Sequence, residues 1–209
     1  MANVFINEST MTDIGNAIRS KTGKTDMILP QNMPNEIEGI KAEGTELVNS
    51  IINGTVTDIY IDVPMRSYAF YGCSNIKPTF GDKCTQISYC AFVYCGSITE
   101  INTNKVTGIE SYAFDGVKNL TKADLPNVIS ISNYVFSGCL KLDILILRSN
   151  RICTLSGTKA FYNTPIEKGT GYIYVPKNLT EQYKVATNWV TFANQFRAIE
   201  DYPEITGGN

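Results

Sequence analysis

The chain has 209 residues, of which 43% are hydrophobic, and its 18 Lys and Arg against 20 Asp and Glu give a net charge of −2 at pH 7. This composition is typical of a globular chain of one or two domains, and no run of basic residues indicates a nucleic-acid groove. No apolar stretch approaches the roughly 20 residues of a membrane span, and residues 1–10 lack the basic and apolar regions of a secretory signal. We therefore expect a protein made in the cytoplasm that neither binds nucleic acid nor inserts into a membrane.

Residues 1–45 are predicted to form a small helical module. Two groups of apolar residues each recur at the spacing of one helical face. A helix pair of this length is too short to build its own core, so we expect these faces to dock on a partner or on the first repeat. The predicted docking residues are Met11, Ile14, Ile18, Met33, Ile37 and Ile40.

Residues 46–209 are assigned to a second domain, which begins with strand-like sequence. Asn53 and Gly54 form a strong signal for a two-residue β-turn and predict an antiparallel strand pair. This pair is expected to cover the open strand edge at the start of the domain.

Phenylalanine recurs at a constant interval through the middle of the chain. Phe70, Phe92, Phe114 and Phe136 keep this interval, and Phe161 follows after a slightly longer one. Aliphatic columns lie in phase on either side of each of the first four phenylalanines. A period of about 22 residues predicts a leucine-rich-repeat-type solenoid of short stacked β-strands with irregular or short helical returns. Stacking at about 4.8 Å per coil would place the phenylalanines in one continuous core.

The end of the chain is predicted to close this stack. Residues 171–176 form a last strand, and residues 177–199 form a helical C-terminal cap whose aromatic side chains cover the open core. Asn178 and Glu181 have the spacing of a helix-capping pair. The tail, residues 204–209, is expected to be loose.

Two segments resemble known families. The segment "IESYAFDGVKNLTKADLPNVISISNYVFSGCLKLDILIL" is similar to BspA-like leucine-rich repeats, and the resemblance covers about residues 60–165. It implies a surface-binding repeat of the kind found in adhesins. One departure is Cys90, which stands where other coils carry Tyr, next to the irregular "FGDKC". We expect the stack to be distorted there.

The N-terminal module resembles a different group. The segment "IGNAIRSKTGKTDMILPQNMPNEIEGI" is similar to an opening segment of tail-associated and other structural proteins of bacteriophages and prophages. This resemblance implies a virion component in which an attachment module precedes a displayed domain.

The six cysteines are expected to be reduced. Cys73, Cys95 and Cys139 share one repeat column with Val117, so that position favours a small apolar group. Stacked Cys73 and Cys95 would be close enough to oxidise if the geometry allowed it.

The sequence offers few candidate catalytic residues. The chain has no histidine, so no Ser-His or Cys-His nucleophile is available and a zinc site is disfavoured. We predict no metal site, no cofactor and no enzymatic activity. Glu110 and Asp115 are the carboxylates that a rival hypothesis, an accessory hydrolase of surface glycans, would use.

Binding is predicted on an outward strand face. Alternation along the strands places Ile inward and small polar residues outward. These rows suit weak, repeated hydrogen bonds to a host-surface glycan or protein, and the alternative is a plain solvated sheet. Tyr68, Tyr112 and Tyr134 form a tyrosine row, and the resemblance to BspA-like repeats implies a packing role for it rather than sugar stacking. The candidate ligand-facing residues are Gln86, Ser88, Glu110, Ser130 and Ser132.

The main hypothesis is a non-enzymatic virion structural protein, placed on the tail, baseplate, fibre or capsid. Residues 1–45 would bind other virion proteins, and the repeat face would bind the host surface. A homo-oligomer or many copies per particle would raise the avidity of weak contacts. The alternative hypothesis is a bacterial cell-surface adhesion repeat protein.

Overall fold

A computed structural model of the chain describes residues 4–6 and 57–207, where the chain winds as a solenoid of parallel strands. The strands in these ranges are β1 (Val4–Ile6), β2 (Asp58–Ile61), β3 (Lys77–Phe80), β4 (Gln86–Ile87), β5 (Glu100–Asn102), β6 (Gly108–Ile109), β7 (Lys122–Leu125), β8 (Ser130–Ile131), β9 (Ile144–Leu147), β10 (Thr154–Leu155), β11 (Tyr172–Val175) and β12 (Phe196–Ala198). They form three sheets: β1-β2-β3, a sheet of two-residue strands in the order β10-β8-β6-β4, and a longer-strand sheet in the order β12-β11-β9-β7-β5.

Each strand pairs with its counterpart one coil away. In the short-strand sheet Ile87 pairs with Ile109, and Ile109 pairs with Ile131. In the long-strand sheet Ile101 pairs with Ala123, which in turn pairs with Leu145. Partners are separated by one interval of the sequence repeat, so the predicted period is confirmed as the length of one coil. A parallel ladder between successive repeats is the defining feature of a solenoid, and the leucine-rich-repeat-type fold is confirmed.

The repeated phenylalanines form one continuous stack. The ring centroids of neighbouring members are 5.3, 5.3, 5.7 and 5.8 Å apart from Phe70 to Phe161, with planes within 10° of parallel. All five side chains are fully buried. Near-parallel offset rings at this distance are a favourable aromatic geometry, so the stack stabilises each coil against the next.

Two left-handed backbone positions flank the phenylalanine in each of the first four coils, and the coil of Phe161 has the second of them alone. The first lies two residues before the ring, and the second lies two residues after it. Both have φ between 55° and 73°, a region in which glycine carries no steric cost. This backbone conformation turns the phenylalanine ring inward, and the phenylalanine amide donates a hydrogen bond to a carbonyl of the next coil. For example, Phe114 N donates to Val135 O at 2.9 Å. The positions are Tyr68, Cys90, Tyr112 and Tyr134 before the ring, and Gly72, Tyr94, Gly116, Gly138 and Asn163 after it.

The predicted distortion near "FGDKC" lies where one sheet gives way to another. Strand β3 pairs with β2 and β5 pairs with β7, and no ladder joins β3 to β5 in the described part of the chain. Phe80, at the end of β3, turns the edge of its ring toward Phe92 at 5.9 Å. Since Phe70 still stacks on Phe92, the core is continuous although the sheet is interrupted.

The first sheet differs from the predicted hairpin. Strand β2 has parallel neighbours on both edges, β1 and β3, so the antiparallel pairing predicted for this strand is wrong. A parallel partner continues the direction of the solenoid, whereas a hairpin would reverse it. Asn53 and Gly54 themselves lie outside the described residues.

The C-terminal region begins with strand β11, which confirms the strand predicted at 171–176. Short helical turns follow at Lys177–Leu179, α1 (Thr180–Tyr183) and Trp189–Gln195. Strand β12 then adds to the sheet beside β11, so the helix predicted through residue 199 is wrong at Phe196–Ala198. The predicted capping pair is also wrong, because α1 begins at Thr180 without a side-chain cap.

An aromatic cluster lies against the last ring of the stack. Trp189 is 5.9 Å from Phe161, and Phe192 meets the same ring edge-on at 5.3 Å. The indole Nε1 of Trp189 donates to the carbonyl of Cys153 at 2.6 Å, and the Tyr183 hydroxyl accepts from the amide of Cys153 at 2.8 Å. Backbone groups at the open edge of the final coil are therefore satisfied by side chains.

The tail prediction is wrong for Glu204 to Gly207. Helix α2 (Pro203–Thr206) lies at the outer side of the long-strand sheet, where Lys122 Nζ donates to the carbonyl of Ile205 at 2.9 Å. Tyr202 contacts the ring of Tyr174 edge-on at 5.6 Å. Across 4–6 and 57–207, no helix has the length and apolar character needed to cross a bilayer.

Candidate functional site

The predicted ligand-facing residues lie on the short-strand sheet. Their inward neighbours, such as Ile109, are buried as expected. Gln86 and Ser130 are exposed and in register through Gly108. The other three, Ser88, Glu110 and Ser132, are half-buried and follow the ends of the same strands. The structure therefore brings all five to one face, and their role in ligand binding stays a prediction.

Several of these polar groups already bond within the chain. The Ser88 hydroxyl donates to the carbonyl of Met65 at 2.9 Å. The Glu110 carboxylate accepts from Gln86 Nε2 at 2.9 Å and from the amide of Tyr89 at 2.7 Å. These bonds join successive coils, so this part of the face contributes to cohesion of the stack and has fewer free groups for a ligand.

Tyr89 completes the tyrosine row. Its ring lies 5.4 Å from that of Tyr68 and 5.9 Å from that of Tyr112, edge-on to both. Tyr112 stacks on Tyr134 at 5.0 Å. Cys90 takes the left-handed backbone position that Tyr has in other coils, and the preceding Tyr89 supplies the ring. The row is continuous, and its rings are in contact with one another as the packing interpretation requires.

A polar cleft of about 420 Å³ lies elsewhere, where three successive coils pass from the long-strand sheet to the short-strand sheet. Sequence reasoning did not identify it, because it is built from connecting segments rather than strands. The sequence nevertheless contains a signal for the cleft, since the residues that line it include two columns that recur at the length of one coil. The first column is Lys105, Asn127 and Ser149, the second is Thr107, Ile129 and Arg151, and Asn150 completes the lining.

The cleft is positively charged in a chain whose net charge is −2. Lys105 and Arg151 are both exposed, and neither forms a salt bridge with any residue in 57–207. Nearby Arg148 differs, because Asp124 binds its guanidinium through two hydrogen bonds of 2.9 and 2.8 Å. No carboxylate lines the cleft. Such a site can attract an anion and hydrogen-bond to it.

The two carboxylates considered for hydrolysis, Glu110 and Asp115, differ in their surroundings. Glu110 holds two hydrogen bonds between coils, as described above. Burial raises the pKa of the Asp115 carboxyl, and a hydrogen bond from Ser137 offsets part of this rise. Within the described ranges, no group of three His, Cys, Asp or Glu side chains is arranged to hold a metal ion.

All six cysteines are free and buried. Burial raises the pKa of the Cys73, Cys84 and Cys153 thiols to about 12. The Cys95 thiol donates to the carbonyl of Phe70 at 3.1 Å, and the Cys139 thiol donates to Phe114 in the same way at 3.2 Å. The Cys95 and Cys139 thiols are therefore packed hydrogen-bond donors.

The predicted particle-docking residues lie outside the described residues. They are Met11, Ile14, Ile18, Met33, Ile37 and Ile40.

Comparison with known families identifies the repeats. Residues 64–186, which are more than half of the chain, match the BspA type leucine-rich repeat region in six copies. No curated protein matches the chain.

Proposed function

Since the chain belongs to the BspA-type leucine-rich repeat family, a repeat architecture of the surface-binding or adhesion type, we propose that it is a non-enzymatic structural protein of a bacteriophage particle that binds the host surface. Residues 1–45 attach it to other virion proteins, and the repeats face outward. The C-terminal segment with Trp189 closes the stack.

The observation that carries the binding role is the register of the coils. Side chains in one column recur at the strand spacing of about 4.8 Å, so polar groups are held in straight rows on a rigid support. The cleft between Lys105 and Arg151 and the row through Gln86 and Ser130 are both built in this way. Preorganised groups lose less entropy on binding than mobile ones.

The placement on a particle rests on the resemblance of residues 14–40 to phage structural proteins. Display in many copies suits a surface whose individual contacts are weak, because linked sites raise the effective concentration of each further contact. The non-enzymatic character rests on the composition, which includes no histidine.

Mass spectrometry of purified particles tests the placement. Particles would be induced from the strain whose genome encodes the chain and purified on a density gradient. The chain should co-purify with the major capsid protein in a fixed ratio and remain after a high-salt wash. Its absence from intact particles, with the capsid protein present, would reject the virion role.

The second candidate is a cell-surface adhesion repeat of bacterial origin. The family match favours it equally, because that match lies in the repeats and carries no information on particles. Antibody labelling of intact, uninduced cells distinguishes the two. Labelling of the uninduced surface favours the adhesin, whereas labelling only of released particles favours the virion protein.

A further inference from the structure

We propose that the cleft between Lys105 and Arg151 binds an acidic polysaccharide through its carboxylate or phosphate groups. This inference rests on the proposed surface-binding function and specifies its ligand class.

The charge of the cleft selects an anion. Its two cationic side chains have no internal partner within 57–207 and no carboxylate beside them in the lining. The contrast with Arg148, which Asp124 neutralises, shows that this region of the fold can pair a guanidinium internally. An unpaired Arg presents a planar fork of donors that matches a carboxylate or a phosphate.

The uncharged lining selects a sugar chain. The side chains of Ser149 and Asn150 offer hydroxyl and amide groups beside the two cations, and Asn127, whose amide nitrogen already donates to the carbonyl of Asn104, offers its side-chain oxygen and its second N–H. Such groups both donate and accept hydrogen bonds, as sugar hydroxyls do. Together with Lys105 they belong to three successive coils, so polar groups repeat along the cleft at about 4.8 Å, a step similar to the length of one pyranose unit.

The size and composition of the cleft favour this ligand over a nucleic acid. A volume of about 420 Å³ is within the range of small-molecule sites and holds a short segment of a chain. No aromatic residue lines the cleft, so it offers no platform on which a base could stack. Exposed lining residues leave the cleft open, which lets a polymer enter along its length rather than by its end.

The test compares two double variants of the full chain. K105Q/R151Q removes both cations of the cleft, and the charge-matched control K118Q/K168Q removes two exposed lysines elsewhere. Each protein is titrated with labelled oligogalacturonate, with a labelled phosphomannan and with neutral dextran, after thermal melting shows that all three proteins are folded. The first two polymers distinguish a carboxylate ligand from a phosphate ligand.

We expect wild type and control to bind at least one acidic polymer and to bind dextran at least tenfold more weakly. The cleft variant should show a Kd at least about tenfold higher than wild type, and added salt should weaken wild-type binding. An unchanged Kd in the cleft variant, an equal loss in both variants, or no binding of either acidic polymer would overturn the inference.

A parallel assay separates this result from the proposed function. Wild-type protein that labels intact host cells but binds neither acidic polymer contradicts the ligand class and leaves surface binding in place. Wild-type protein that labels no host cells contradicts the proposed function itself.

Discussion

The ring of Tyr94 occupies the position that a Cβ of Gly116, one coil further along the stack, would take. A Cβ added at Gly116 would lie 2.3 Å from Cδ1 and 2.4 Å from Cε1 of that ring. Tyr94 itself occupies a left-handed backbone position that three other coils give to glycine and one gives to Asn163. The large side chain of Tyr94 therefore fits because Gly116, at the same position of the next coil, has no side chain.

Replacing Gly116 with Ala should destabilise the protein for two reasons. Its φ of +69° costs an L-residue about 1–2 kcal/mol, and the methyl group would also displace the Tyr94 ring. Urea denaturation should therefore show a loss of at least about 1 kcal/mol. The matched control is Gly96→Ala, where a Cβ meets nothing within 4 Å and stability should be unchanged or higher by up to about 1 kcal/mol.

A double-mutant cycle isolates the contact between the two residues. In a Tyr94→Gly background the ring is gone, so Gly116→Ala should cost only the backbone term. An equal cost in both backgrounds would mean that the ring contact contributes nothing.

Asp115→Asn should stabilise the protein at neutral pH. Burial raises the pKa of Asp115, so the fold favours its protonated form. The stability that the protonated Asp115 carboxyl contributes is therefore fully present below its pKa in the unfolded state, about 4. This contribution is lost as the pH rises through its higher pKa in the folded state. The melting temperature of Asp115→Asn should exceed that of wild type at pH 7, and the difference should shrink toward pH 4. An equal gain at pH 7 and at pH 4 would contradict the account.

The thiols should be inert in the folded state. All six are buried, and burial raises the pKa of Cys73 and Cys153 to about 12, so almost no thiolate is present at pH 8. Labelling with a thiol reagent should be slow in buffer and should reach six groups per chain in denaturant. Rapid labelling of any cysteine without denaturant, or a Cys73–Cys95 disulfide under mild oxidation, would be inconsistent with this packing.

Deletion of residues 202–209 should destabilise the long-strand sheet. Ile146 and Tyr174 occupy outward register positions, yet they are only 0% and 2% exposed. Tyr202 contacts Tyr174 from the outer side, so its removal exposes apolar surface worth about 1–3 kcal/mol. Lys122→Met removes only the hydrogen bond from Lys122 Nζ to the carbonyl of Ile205. It should lower the free energy of unfolding by about 1 kcal/mol, which is less than the loss caused by the deletion. Unfolding curves that coincide with wild type for the deletion would show that this segment adds nothing.

The repeated part of the fold could be predicted from the sequence, whereas features that occur only once in the structure could not. A column such as Phe92 and Phe114 carries its signal in several copies, so the period alone places the rings in contact. Strand β12 pairs with β11 across the intervening helical turns, and its sequence also has helical spacing, so only the free edge of β11 decides its structure. The bond from Lys122 to Ile205 joins distant parts of the chain and has no local signal.

The same distinction between predictable and unpredictable features applies to the candidate site. The row through Gln86 and Ser130 follows from strand alternation and could be predicted. The cleft near Lys105 and Arg151 depends on how connecting segments turn, which alternation does not describe. Tyr89 could not be assigned to the tyrosine row from its column, because its ring reaches the row from the neighbouring backbone position.

The central claim is that the regularly spaced phenylalanines share one core, on which every proposed surface depends. Ring-to-ring nuclear Overhauser effects in protein labelled only at phenylalanine measure this directly, with Phe→Leu variants assigning each ring. Phe92 and Phe114 should show contacts to each other, and each should also contact the ring one coil further out, Phe70 or Phe136. Isolated phenylalanine rings, or contacts that skip a coil, would contradict the stacked architecture.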